Sequence, residues 1–157
     1  VEVSKIRDGK HVLIIGVGNL LLGDEGVGVH IVEKLMEMSL PPGVEVVDGG
    51  TGGISLLNLM EEADKVIIVD AVLGGGAPGE IYVVGKDRLM NGKIKFFSLH
   101  ELDLLSALRI GKELGKLPPE LVLVGVEPKN YGEFNMELSP EVRAVVPKVI
   151  KVILELL

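Results

Sequence analysis

Residues 11–28 read HVLIIGVGNLLLGDEGVG. The run HVLIIGV (11–17) is a strand-sized apolar segment, and GVGVHIVEKLMEMS (26–39) carries apolar residues at helical spacing. A buried strand, a glycine-rich turn and a helix are the opening unit of an α/β fold, and that turn commonly cradles a nucleotide phosphate. Here the chemistry runs the other way. Gly16 and Gly18 supply the first half of G-x-G-x-x-G, but Leu21 stands where the third glycine belongs, and no G-K-[ST] follows. Asp24 and Glu25 occupy the helix start, where their charge opposes a phosphate. Two readings of the acids stand side by side: helix capping, with Asp at the cap and Glu in the first turn, or presentation of a carboxylate to a ligand. Asp48, at the end of the second strand, mimics a ribose-binding acid and keeps a nucleotide-binding Rossmann-like module as an alternative.

Outward from this unit the pattern repeats. PPG (41–43) ends the first helix, VEVVD (44–48) is a second strand, GISLLNLMEEA (53–63) a helix, and KVIIVDA (65–71) an almost wholly apolar third strand. Such runs suit parallel strands covered on both faces. VLGGGAPG (72–79) is too short and glycine-rich for a crossover helix, so EIYVV (80–84) returns antiparallel as an edge strand. NGKIKFF (91–97) brings the chain back up, and SLHELDLLSALRIGKEL (98–114) reads as a helix with a capping box of Ser98 and Glu101. ELVLVGVEP (120–128) is the last strand. Ser139 caps the final helix, Pro140 takes its first position, and Pro147 is expected to kink it. The expected fold is a three-layer α/β/α sandwich, with a mostly parallel twisted sheet of about five strands and one antiparallel edge strand, in a single domain over residues 1–157.

Composition narrows the function. With 16 basic and 23 acidic residues the net charge is −7, which disfavours a nucleic-acid partner. The absence of cysteine removes disulfides, thiolate metal sites and cysteine nucleophiles from this chain, and no serine lies in a nucleophile elbow. Three phenylalanines, two tyrosines and no tryptophan leave the core to valine, isoleucine and leucine. No apolar run reaches membrane-spanning length, and VEVSKIRDGK (1–10) lacks a signal peptide's apolar centre, so a cytoplasmic location is expected.

In open α/β sheets, sites gather beyond the carboxyl ends of the parallel strands. Those ends carry Glu25, Asp48, Asp70 and Glu127, with His100 following the upward run. Carboxylates gathered on one edge repel unless a cation sits among them. A mixed oxygen and imidazole set suits a borderline metal such as zinc or nickel. Each residue also has a purely structural reading: Asp70 as a turn cap, His100 as a helix residue, Glu127 as a loop acid. His11 and His30 are read as structural.

In combination, LIIGVGNLLLGDEGVG, VDGGTGG, VIIVDA, SLHELDLLSAL and LVLVGVEP resemble the [NiFe]-hydrogenase maturation endopeptidases over nearly the whole chain. The resemblance implies a metal-dependent hydrolase that removes the C-terminal extension of the nickel-loaded large-subunit precursor, with nickel as the recognition element. It implies Glu25, Asp70 and His100 as metal ligands and Asp48 in a loop tied to substrate handling and cleavage. Nickel would be carried by the substrate. A non-catalytic nickel-binding chaperone using the same ligands is a further alternative.

Overall fold

The computed structural model describes residues 10–91, the backbone of 97–98, and residues 104–157. Strands β1 (Val12–Gly16), β2 (Val44–Asp48), β3 (Lys65–Leu73), β4 (Ile81–Gly85), β5 (Phe97–Ser98) and β6 (Glu120–Val126) form one sheet. Helices α1 (Val27–Met36), α2 (Leu56–Met60), α3 (Lys86–Met90), α4 (Leu104–Glu113) and α5 (Pro140–Leu156) cover it. The main strand order is β2-β1-β3-β6-β4, with β5 paired to the end of β3. β1, β2, β3 and β6 are parallel; β4 lies antiparallel on β6 at one edge. The expected mostly parallel sheet with one antiparallel edge strand is therefore found, with β5 as a two-residue addition.

Strand pleating explains the three layers. Successive side chains alternate between faces. Val12 and Ile14 of β1 join Ile67, Val69, Val124 and Val126 beneath α1 and α5. Leu13 and Ile15 join Val66, Ile68, Leu121 and Leu123 beneath α2, α3 and α4. These strands are apolar on both sides because both sides are covered. By the same alternation Asp70 shares the face of Val66, Ile68 and Val72, on which α4 packs.

Several boundaries differ from expectation, each for a local reason. The first helix begins at Val27 and is preceded by a 3-10 turn, Gly23–Gly26, because that turn is held to a distant loop. The helix expected over 53–63 contracts to Leu56–Met60, delayed by Gly52 and Gly53 at φ of 88° and 84°. β3 runs on to Leu73, so Asp70 lies within the strand rather than at its end. α3 is too short to leave a periodic signature. Of the expected run 91–97, residues 92–96 lie outside the described residues, and Phe97 pairs antiparallel with Leu73. Ser98 belongs to β5, opposite Val72, while His100 and Glu101 lie outside the described residues. Ser139 does cap α5, its Oγ accepting from Val142 N–H at 3.3 Å, and the helix runs on through Pro147. No helix among the described residues is long and apolar enough to cross a membrane.

The site's position follows from this topology. From β1 the chain passes under one face to β2, then over the other face to β3, on the opposite side of β1. A crevice therefore opens beyond the carboxyl ends of β1 and β3, the usual ligand position in such sheets. The first turn is locked into it. A Cβ on Gly28 would stand 2.2 Å from the Val69 carbonyl oxygen and 2.5 Å from that of Val17, so α1 approaches β1 and β3 as closely as backbone allows. Gly28→Ala is expected to lower stability by about 1–3 kcal/mol or more, since the contact is with backbone that cannot turn aside; a shift in the urea midpoint measures it.

Candidate active site

The two acids of the first turn have different roles, and neither is helix capping. Neither the 3-10 turn nor α1 has a side-chain cap; their cap residues are Leu22 and Gly26. Asp24 is fully buried and turned toward the 128–138 loop that links β6 to α5. Its Oδ2 accepts from Lys129 N–H at 2.9 Å, Asn130 N–H at 3.0 Å and Ser139 Oγ–H at 2.7 Å. Its Oδ1 accepts from Ser139 N–H at 2.8 Å. The backbone repeats the tie: Asp24 N–H donates to Asn130 O at 2.8 Å, and Asn135 N–H to Leu21 O at 2.8 Å. A buried carboxylate is tolerable when its lone pairs are satisfied in this way.

With Asp24 holding the loop, Glu25 is left at the crevice. It is nearly buried at 9% exposure, and its Oε2 accepts from Gly132 N–H at 2.9 Å. The turn that carries it packs on β3. β3 contributes Asp70, fully buried one residue beyond the Gly16–Val69 register pair, with its Oδ1 accepting from Ala71 N–H at 2.8 Å. Asp48 pairs in register with Gly16 on the other side of β1. It is exposed, and its Oδ1 accepts from Gly50 N–H at 2.7 Å in a tight turn. Glu25, Asp48 and Asp70 thus lie on the same carboxyl edge of three adjacent strands. His100 lies outside the described residues, and no cluster of three or more potential metal ligands occurs among the described ones.

Glu127 does not join this group. Its Oε1 accepts from Tyr82 O–H at 2.6 Å, Gly74 N–H at 2.8 Å and Gly76 N–H at 3.2 Å, fastening the β3–β4 connection. Burial, reinforced by the bond to the Glu127 carboxylate, pushes the Tyr82 phenol up to about 12.

The turn also decides the nucleotide question. Phosphate binding needs free amides at the loop. Here Gly18 N–H donates to Gly50 O, Asn19 to Glu25 O, Gly23 to Asn135 O, Asp24 to Asn130 O and Glu25 to Leu22 O. The amides are used within the protein, and a Cβ on Gly18 would lie 2.2 Å from Glu25 O, so the glycine admits backbone rather than pyrophosphate. The Rossmann-like alternative loses its binding groups.

The profile of the hydrogenase maturation protease family matches residues 29–156. The chain belongs to the hydrogenase maturation protease family. It is 40% identical over 148 residues to the hydrogenase 2 maturation protease of Escherichia coli, covering 91% of this chain and 88% of that protein. It is 41% identical to the hydrogenase expression/formation protein HoxM of Azotobacter vinelandii, over 94% of this chain and 72% of that one. Among solved structures, the E. coli hydrogenase maturating endopeptidase HybD superposes with a TM-score of 0.81 at 36% identity, covering 93% of this chain and 91% of that chain. The [NiFe] hydrogenase maturation protease HybD of Thermococcus kodakarensis gives 0.76 at 28% identity, covering 93% and 98%. This maturation protease is thus a hydrolase acting on peptide bonds, and its fold is the one those enzymes share.

Sequence reasoning missed the inward role of Asp24, the Gly132 amide on Glu25 and the second role of Ser139. The partners of Asp24 lie 105 to 115 positions away, beyond any local pattern.

Two measurements check this layout. Asp24→Ala strands the buried N–H and hydroxyl of Ser139 and the part-buried N–H groups of Lys129 and Asn130, so it is expected to cost about 2–3 kcal/mol, while Asp48→Ala, at an exposed turn, changes stability by less than about 1 kcal/mol; chemical denaturation compares them. In a Tyr131→Phe background, the remaining phenol should titrate near 12 by ultraviolet absorbance. Glu127→Gln should bring it down toward the ordinary value of about 10. The fold favours the neutral phenol, so its contribution to stability is complete below that ordinary value and is lost as pH rises through about 12.

Proposed function

We propose that this maturation protease removes the C-terminal extension of a nickel-loaded [NiFe]-hydrogenase large-subunit precursor, in the cytoplasm, and that it reads the nickel through Glu25, Asp70 and His100. The reading is supported by two buried carboxylates, Glu25 on the turn that packs on β3 and Asp70 on β3 itself, in a chain of this family. Two buried carboxylates on one edge suit a cation, and oxygen donors completed by one imidazole suit nickel. His100 is supported by chain order. β5 brings Ser98 opposite Val72, two residues past Asp70, and α4 packs on the face that Asp70 shares. His100 belongs to the stretch joining the two.

The nickel is part of the substrate, and three protein donors leave positions for the precursor's own ligands. Within the chain, the Gly132 amide steers one Glu25 oxygen, and the Ala71 amide steers one Asp70 oxygen. Hydrolysis adds water across one peptide bond: a water oxygen bonds to the carbonyl carbon, the C–N bond breaks, and a proton passes to the leaving amine. We assign to Asp48, exposed at the neighbouring strand end, the role of taking the proton from that water. Neither cysteine nor a serine elbow is available to form an acyl intermediate.

The decisive experiment incubates purified precursor, with and without nickel, with wild-type, Glu25→Gln and His100→Ala protein, and follows the released peptide. Wild type should cleave only the nickel-loaded form, zinc should not substitute, and both variants should lose activity while unfolding at the wild-type denaturant midpoint. Equal cleavage of nickel-free precursor would sink the recognition role. Nickel binding that survives in the absence of any cleavage by the wild type would favour the chaperone.

A further inference from the structure

The loop that meets the acids also carries the most exposed apolar side chains near them. Tyr131, Phe134 and Met136 project from the 128–138 loop, Phe134 at 75% and Met136 at 62% exposure. Leu21 is exposed alongside, where its carbonyl accepts from Asn135 N–H. This is a fixed surface, because Asp24 and Glu25 hold the loop at Lys129, Asn130, Gly132 and Ser139. Large apolar side chains clustered on a well-anchored loop mark a site of association.

From Met136 the surface sinks into a cleft of about 540 Å³ between α1 and α5. Leu138, Val146 and Ile150 give it apolar walls, and its rim carries Lys34 and Arg143 with one acid, Glu137, whose Oε2 lies 3.9 Å from Arg143 Nη2 at an exposed position. With two cations against one acid the rim is left slightly positive in a chain of net charge −7, and among the described residues Lys34 is its cation without an acid in the lining beside it. His30 also lines the cleft. Its Nε2 is the one buried side-chain nitrogen or oxygen among the described residues with no hydrogen-bond partner. Buried polar atoms are ordinarily satisfied, so this one calls for a partner.

We propose that the 131–136 rim and the α1/α5 cleft form the docking groove for the precursor's C-terminal extension, taken as an extended segment with apolar side chains and a carboxylate. The inference rests on the protease reading above. Phe134 and Met136 cover the segment's apolar side chains, Lys34 and Arg143 face its carboxylate, and His30 Nε2 meets a backbone group. The reach is adequate: Gly132 touches Glu25, and the four residues from there to Met136 span at most about 14 Å. A segment of similar length connects the scissile bond to the cleft. Preorganisation of the rim lowers the ordering cost of binding.

The test uses a fluorescein-labelled synthetic peptide of the cognate precursor's extension, with a free α-carboxylate, followed by anisotropy without metal. In parallel, steady-state cleavage of the nickel-loaded precursor is measured. The double variant Phe134→Ser/Met136→Ser is expected to weaken peptide binding at least tenfold and to raise KM similarly, with kcat within twofold. Lys34→Glu should weaken binding in the same direction. Leu114→Ser, which removes a side chain 60% exposed at the end of α4, should change neither. All of these positions are exposed or line an open cleft, and an unchanged denaturant midpoint verifies the fold. If wild type binds the peptide through the rim yet cleaves no precursor, the groove stands and the protease reading falls. If wild type cleaves while neither rim nor Lys34 variants alter peptide binding or KM, the groove is overturned and the protease reading stands. Failure of wild type to bind the peptide at all also overturns the groove.

Discussion

The buried carboxylate of Asp24 is the constraint on which the carboxyl edge of this sheet depends. Three backbone amides and one hydroxyl converge on it from the far end of the chain. Through them the first turn, the 128–138 loop and the cap of α5 become one unit. Ser139 links two levels of structure: its hydroxyl donates to Asp24 and accepts from Val142 N–H at the start of α5. The start of the last helix and the position of the first loop are therefore set together. Glu25 inherits its place from this arrangement, since the amide that steers it lies on the loop that its neighbour holds.

The division between the adjacent acids is a matter of direction rather than chemistry. Side chains of successive residues in a tight turn diverge, so one carboxylate faces the interior and the next faces the crevice. The inward one is saturated by neutral donors, which makes its burial tolerable without a cationic partner. Glu127 repeats the solution at the other side of the site, where Tyr82 and two glycine amides fasten the β3–β4 connection. Carboxylates thus serve here as fasteners for irregular backbone as well as functional groups.

The legible and illegible parts of this chain divide along physical lines. Apolar runs such as VLIIG and KVIIVDAVL announce buried parallel strands, because burial on both faces leaves no polar positions. The antiparallel return of β4 followed from a glycine-rich connection too short for a helix. Asp48 was readable as a strand-end acid and Glu25 as an acid of the turn after β1, whereas Asp70 lies inside β3, which runs on to Leu73 through pairing with β5 that its own sequence does not announce. By contrast, the split between Asp24 and Glu25 and the engagement of Glu127 depend on partners distant in sequence. Gly52 and Gly53 shortened α2 through backbone conformation that a hydrophobic pattern does not encode. Short elements such as α3 and β5 owe their existence to neighbours and carry no period of their own.

The contact of Gly28 with the carbonyls of Val17 and Val69 has a consequence for how the enzyme meets its substrate. Helix, strand and turn touch there through backbone, so the acid-bearing edge has almost no freedom to swing toward an incoming chain. Whatever conformational search precedes cleavage falls to the substrate, which must bring a flexible tail to a stationary edge. The loss of entropy on association is then borne by the tail.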